Sequence, residues 1–98
     1  MPGLTIEFDK KPTNLDEFMK QFPAFIKSGN DAWEFSDNLG TTTVKARELS
    51  DHRFVIITNS STPLHIPWER ANKIGKEILS FYKDACRLIS LEKNKNQI

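Results

Sequence analysis

The chain has 98 residues, which is enough for one compact domain and too few for two. It carries 14 lysine and arginine residues and 13 aspartate and glutamate residues, so the net charge of +1 provides no long-range attraction for a polyanion. The single cysteine excludes an intrachain disulfide and a site built mainly from thiolates, and it predicts a reducing, cytoplasmic location.

The first predicted element is a strand over residues 4–9, where Leu4, Ile6 and Phe8 alternate with polar residues. The N-terminal segment has neither the basic start nor the apolar stretch of a secretion signal. No later run of residues is apolar enough to span a membrane. We therefore expect a protein that is neither secreted by that route nor inserted in a membrane.

A helix is predicted to begin at Asn14, because Asn14 and Glu17 have the spacing of a capping box and apolar residues then recur at helical spacing. Pro23 should kink or restart this helix, since proline lacks a backbone donor and crowds the preceding turn. Gly29 fits a C-terminal cap of the same helix.

Three strands are predicted next, over residues 32–36, 41–48 and 53–58. The turn-forming segment 37–40 joins the first two into a hairpin. The third strand is apolar on both faces, which is typical of an interior strand or of one whose second face is covered by another surface.

The last predicted element is an amphipathic helix over residues 67–91, with Pro67 in its first turn. Gly75 lies near its apolar arc, where the missing side chain allows close packing on a sheet. Cys86 lies at the edge of that arc and is predicted to be a small buried hydrophobe. The chain then forms a single α+β domain over residues 1–92, followed by a flexible polar tail over residues 93–98.

These elements predict a single four-stranded, mostly antiparallel sheet with two helices packed on one face, in the order β-α-β-β-β-α. The first two strands would be parallel neighbours, and the other face of the sheet would be open. This order is similar to that of the ribosome hibernation factors, and its last five elements resemble double-stranded RNA-binding domains. The resemblance covers topology only. Such domains open their last helix with lysines after a glycine-rich loop, whereas this chain has Pro67-Trp68-Glu69-Arg70.

No residue spacing in the sequence is typical of a metal site, a cofactor site or a phosphate-binding glycine loop, and nothing indicates a small-molecule substrate. Ser50, Asp51 and His52 supply the residue types of a catalytic triad, but three consecutive residues in a turn cannot align as one. An enzyme using His52 or His65 would require distant parts of the chain to meet in a cleft. We therefore predict a protein that is not an enzyme, with no catalytic, cofactor-binding or metal-binding residues.

The sequence predicts a protein interface at four residues, either with a protein partner or in a homodimer. Val55 and Ile57 are assigned to the sheet face that the helices leave open, where exposed apolar residues favour association. Loops and aromatic neighbours covering that face are the alternative. His65 and Trp68 flank a loop-to-helix junction, a common place for binding residues, although Trp68 also fits an anchor in the core.

Lys73, Lys76, Lys83 and Arg87 form a basic stripe on the last predicted helix that fits contact with the phosphates of RNA. Acidic residues interrupt this stripe, and a solvated face with weak ion pairs is the alternative interpretation. The sequence thus predicts a small cytoplasmic binding or regulatory protein that acts through protein–protein contacts. An RNA- or ribosome-binding module is the alternative function.

Overall fold

The part of the chain that the structure describes forms one antiparallel sheet of six strands together with two helices. The computed structural model describes residues 3–49, 52–62 and 64–94. The strands are β1 (Gly3–Phe8), β2 (Ile26–Gly29), β3 (Ala32–Asp37), β4 (Gly40–Glu48), β5 (Phe54–Ser60) and β6 (Leu88–Asn94), and the helices are α1 (Leu15–Met19) and α2 (His65–Tyr82). Across the sheet the strands lie in the order β2-β3-β4-β5-β1-β6.

The predicted four-stranded sheet with parallel first strands is wrong, because every neighbouring pair in the six-stranded sheet is antiparallel. β1 lies between β5 and β6, with Ile6 opposite Ile56 on one side and Leu91 on the other. Leu4, Ile6 and Phe8 are at most 2% exposed, so the backbone of β1 is buried and needs hydrogen-bond partners on both sides. The C-terminal segment supplies the second partner, and the resulting order β-α-β-β-β-β-α-β differs from the one on which the RNA-binding resemblance was based.

The first predicted helix is wrong in its length and in its cap. α1 is five residues long, and Asn14 precedes it in a left-handed conformation (φ 58°) without a side-chain cap hydrogen bond. The backbone N–H of Phe22 donates to the Met19 carbonyl in a turn, and Pro23 then lacks the donor that a continuing helix needs. Gly29 ends β2 instead of capping a helix.

The last predicted helix is wrong at its C-terminal end, because α2 ends at Tyr82 and Leu88 begins β6. The backbone N–H of Arg87 donates to Asp9 Oδ1 over 2.9 Å, which holds the start of β6 beside the end of β1. β6 runs to Asn94 and so includes the first residues of the predicted tail. The rest of that tail lies outside the described residues.

The hydrophobic core lies between the helices and one face of the sheet. Its buried residues are Leu4, Ile6, Phe8, Leu15, Phe18, Met19, Trp33, Val44, Phe54, Ile56, Ile74, Ile78, Tyr82 and Cys86. The ring of Phe18 lies 4.8 Å from that of Phe81 and 5.7 Å from that of Tyr82, so α1 packs against the C-terminal end of α2. The predicted burial of Cys86 is confirmed.

α2 packs mainly on β5, β1 and β4. On one side of the helix, Arg70 lies 4.0 Å from the ring centroid of Phe35 in β3, and its Nη2 donates to Asp37 Oδ2 over 3.0 Å. On the other side, a Cβ atom at Gly75 would lie 2.7 Å from Leu4 Cδ1 in β1, so the predicted close packing at this glycine is confirmed. β6 is the outermost strand beyond β1 and lies to the side of the strands that α2 covers.

Thr58 joins three elements through its buried hydroxyl group. Its Oγ1 accepts the Leu4 N–H of β1 over 3.0 Å and donates to the Ala71 carbonyl of α2 over 2.8 Å. Thr42 on the neighbouring strand β4 is equally buried, at 0% exposure. Its Oγ1 has no hydrogen-bond partner among the described residues. The two threonines therefore share a residue type and a degree of burial but differ in what their hydroxyl groups bind.

Candidate protein interface

The sheet face opposite α2 carries two of the predicted interface residues, Val55 and Ile57. Val55 lies between Glu7 of β1 and Arg47 of β4, and Ile57 lies beside Lys45 of β4. Val55 is only 6% exposed, whereas Ile57 is partly exposed. Since charged side chains border both residues, this face is a largely polar surface with two aliphatic residues in its middle.

His65 and Trp68, the other two predicted interface residues, lie at the start of α2, on the covered side of the sheet. His65 is exposed, and its Nε2 lies 3.2 Å from Glu69 Oε1. Trp68 is partly buried, and its backbone N–H donates to the Leu64 carbonyl in the first turn of the helix. The sheet thus separates these two residues from Val55 and Ile57, and the four do not form one continuous surface.

The basic residues predicted to contact RNA are all exposed, but they do not form one helix face. Lys73 and Lys76 line a shallow surface of α2 together with Glu69 and Glu77. Lys83 is the C-cap residue of α2. Arg87 lies beyond the helix, and its Nε is 3.9 Å from Asp9 Oδ2. The stripe is therefore three lysines interspersed with acidic residues, and the arginine belongs to the connection between α2 and β6.

β6 presents exposed apolar side chains between residues 88 and 91, which the sequence predicted to be the end of the last helix. Leu88, Ile89 and Leu91 are 40%, 36% and 45% exposed. Leu91 lies opposite Ile6, and Leu88 lies opposite Phe8, with Ile89 as the extra residue of a β-bulge between them. Ile89 and Leu91 alternate with Ser90 and Glu92, and this period of two is the signal in the sequence that could have identified the strand.

The two edges of the sheet differ in length, and both edge strands have a register shift in their pairing. β6 has seven residues and is paired with β1 on one side. β2, at the opposite edge, has four residues and a register shift in its pairing with β3. Its Ile26 is 70% exposed. The longer, more apolar edge is therefore the one formed by β6.

The residues considered for catalysis lie apart from one another. His52 lies in the connection between β4 and β5, where its Nδ1 is 3.9 Å from Glu48 Oε1, and His65 lies at the start of α2. Ser50 and Asp51 lie outside the described residues. Burial raises the pKa of the Cys86 thiol, so little thiolate is present at neutral pH.

Within residues 3–49, 52–62 and 64–94, no three histidine, cysteine, aspartate or glutamate residues are grouped so that they could hold a metal ion. In the same ranges, neither helix has both the length and the apolar composition required to cross a membrane.

No protein-family model, curated protein or solved structure matches this chain. Its function is therefore inferred from the described surfaces. Among the described strands, β6 combines an edge position, a length of seven residues and three exposed apolar side chains.

Proposed function

We propose that this protein is a non-enzymatic interaction domain that binds an extended segment of a polypeptide along β6. The observation that carries the proposal is the edge position of a seven-residue strand whose Leu88, Ile89 and Leu91 are exposed. Alternate N–H and C=O groups of an edge strand point away from the sheet and can pair with an added strand. Such pairing supplies main-chain hydrogen bonds, while side chains on alternate positions supply specificity.

The position of α2 supports this assignment. Because α2 packs mainly on β5, β1 and β4, it leaves the helix side of β6 uncovered next to the core. Leu91 therefore extends the row begun by Ile56 and Ile6, which are both fully buried. An added strand would continue that row and remove apolar surface from water, at about 25 cal/mol for each Å² buried.

Glu92 and Lys93 support selective rather than general association. Both residues lie in the second half of β6, and charged residues on an edge strand oppose unselective pairing with other edges. A segment that binds here must place neutral or oppositely charged residues beside them. The open sheet face is a weaker candidate, because Val55 is almost fully covered and Lys45 and Arg47 stand beside the aliphatic residues.

A binding role is also supported by the state of the reactive side chains. Cys86 is buried with a raised pKa, and His52 and His65 lie on different parts of the chain, each beside its own glutamate. The proposed partner is a protein segment, so the proposal requires no cofactor, small-molecule substrate or membrane. The single cysteine supports a cytoplasmic location for this activity.

Site-specific photo-crosslinking in the cell that encodes the chain tests the proposal. The photoreactive residue benzoylphenylalanine is placed at Ile89 in β6, at Lys45 on the open face or at Lys76 on α2, all of which are solvent-accessible. We expect protease-sensitive adducts when the photoreactive residue replaces Ile89, and we expect them to disappear when the same chain also carries Leu91→Lys. The matched control Leu64→Lys, at a leucine that is 50% exposed at the start of α2, should leave them intact.

Three outcomes would contradict the proposal. Adducts confined to Lys45 would assign binding to the open face of the sheet. Nuclease-sensitive adducts at Lys76 would support the RNA-binding alternative. Adducts at Ile89 that persist in the presence of Leu91→Lys would show that contact there does not depend on the edge of β6.

A further inference from the structure

The length and charge order of β6 allow it to pair with itself. If two copies of the strand pair antiparallel over the part that follows the bulge, residues 89–93, the middle residue, Leu91, lies opposite the Leu91 of the second copy. The remaining pairs are Ser90 with Glu92 and Ile89 with Lys93, each formed twice. No like charges are opposite each other in this register, so no pair is repulsive.

Neighbouring registers are less favourable. Moving the centre of the pair by one residue shifts the register by two, which is the smallest shift that keeps the same side chains on the same face of the sheet. Moving the centre to Glu92 places that carboxylate opposite its own copy, and the centre at Ser90 leaves only residues 89–91 of the part that follows the bulge paired. Like charges directly opposite each other destabilise a strand pair. The register centred on Leu91 therefore keeps residues 89–93 of each copy paired without placing like charges opposite each other.

We propose that the segment bound along β6 is β6 of a second copy of this chain, in an antiparallel pair with its two-fold axis at Leu91. The inference rests on the proposed function and names its partner. The pair would join two six-stranded sheets into one continuous sheet with α2 of both copies on the same side. A contact in which each copy presents the same surface closes on itself and produces a dimer instead of an open chain.

The apolar side chains of β6 become buried in this arrangement. Leu91 lies opposite Ile6, and Leu88 lies opposite Phe8, so both leucines are on the side of the sheet that holds the core. In the pair, the Leu91 side chains of the two copies meet on that side, beneath the space between the two α2 helices. The stem of Lys93 covers Ile89 of the other copy while its ammonium group remains in water.

The edge formed by β2 is a poorer partner for β6. β2 has four residues and would leave part of the seven-residue strand unpaired. If β6 paired with β2 of another copy, the assembly would have a free β2 edge at one end and a free β6 edge at the other. Association would then continue into polymers. A dimer of defined mass therefore distinguishes the two arrangements.

Sedimentation equilibrium of the purified chain over a range of micromolar concentrations measures the association. We expect a reversible species of twice the 11.3 kDa chain mass. Leu91→Lys places two ammonium groups opposite each other on the two-fold axis and should raise the dimer dissociation constant at least about tenfold. Leu64→Lys is the matched control and should leave the constant unchanged. Circular dichroism verifies that both variants are folded.

Disulfide trapping tests the register independently of affinity. Opposite residues in an antiparallel pair have Cα atoms roughly 4.5–5.5 Å apart, within the range that a disulfide bridges. In a Cys86→Ala background, Leu91→Cys should form an interchain disulfide on mild oxidation, and Leu64→Cys at the same concentration should not. The combination of Ser90→Cys on one copy and Glu92→Cys on another should also crosslink.

A monomer at every concentration, a polymer series, or a dimer that tolerates Leu91→Lys would overturn the two-fold β6 pair. A purified monomer whose Ile89 photo-adducts contain a different protein would overturn this inference alone and leave the proposed strand-binding function standing. If the purified chain is monomeric and no specific adducts form at Ile89, both the two-fold β6 pair and the proposed strand-binding function are refuted.

Discussion

Replacing Thr58 by valine removes the hydroxyl group that joins β5 to β1 and α2, while the shape of the side chain and its preference for a strand are nearly unchanged. The N–H of Leu4 then loses its acceptor in a position where Leu4 is only 2% exposed. The carbonyl of Ala71 loses one of its donors at the same time. The variant therefore removes two buried hydrogen bonds instead of creating a cavity.

The magnitude follows from the cost of an unsatisfied buried donor, which is about 1–3 kcal/mol. We expect Thr58→Val to lower the free energy of unfolding by roughly 2 kcal/mol, which corresponds to a fall in Tm of roughly 8–16 °C for a domain of this size. Thr42→Val is the matched control. Because Thr42 Oγ1 has no partner among the described residues, its removal should be neutral or stabilising by up to about 1 kcal/mol.

Urea denaturation followed by tryptophan fluorescence measures both variants, at one protein concentration because association would stabilise the folded state. The slope of the free energy against urea should stay constant, so that the midpoint alone reports the change. Equal midpoints for Thr58→Val and Thr42→Val would refute the assignment of the Thr58 hydroxyl as a link between three elements.

Three further predictions concern Gly3, Gly75 and Tyr82, and Gly29 serves as the control for Gly3. Gly3 has φ +154°, and a Cβ there would overlap the Thr58 carbonyl oxygen, so Gly3→Ala should lose at least about 2 kcal/mol in thermal unfolding. Gly29→Ala, whose Cβ would lie 3.8 Å from its nearest neighbour, should change stability by less than about 0.5 kcal/mol. Gly75→Ala gains about 1 kcal/mol of helix propensity, but its Cβ would lie 3.1 Å from Thr58 Oγ1, and such overpacking costs about 1–3 kcal/mol. We therefore expect the free energy of unfolding to fall by about 1 kcal/mol. A stabilised variant would disprove the close contact. Burial raises the pKa of Tyr82, the only tyrosine, to about 12, so its phenolate absorbance should titrate near that value in the folded protein and near about 10 in urea. Because the folded pKa is the higher one, the contribution of Tyr82 to stability should be constant below about pH 10 and be lost as the pH rises through the folded value. A native midpoint near 10 would contradict the burial.

Local patterns in the sequence located most of the strands and one side of the core. The alternation of Leu4, Ile6 and Phe8 identifies β1, and the turn-forming residues 37–40 place the hairpin of β3 and β4 within one or two residues of its observed position. The interpretation of Gly75 as a close-packing position and of Cys86 as a buried residue also followed from helical spacing alone. These features depend on neighbours only a few residues apart, which is why a single sequence is sufficient to reveal them.

The ends of the helices depended on contacts that no local pattern contains. Leu88 and Ile89 continue the helical spacing of α2, and no glycine or proline after Tyr82 marks a stop. They form a strand because β1 is buried on both sides and requires a second hydrogen-bonded neighbour. Likewise, the segment after Pro23 becomes β2 because it pairs with β3. The candidate interface at β6 was missed for the same reason.

The sequence by itself determined the α+β class of the fold, the burial of Cys86 and the positions where the chain alternates between buried and exposed side chains. Only the tertiary structure decided the number of strands, their order and which apolar residues remain in water. An edge strand is defined by the strand that is missing beside it, and that property belongs to the assembled sheet and not to any segment of the chain.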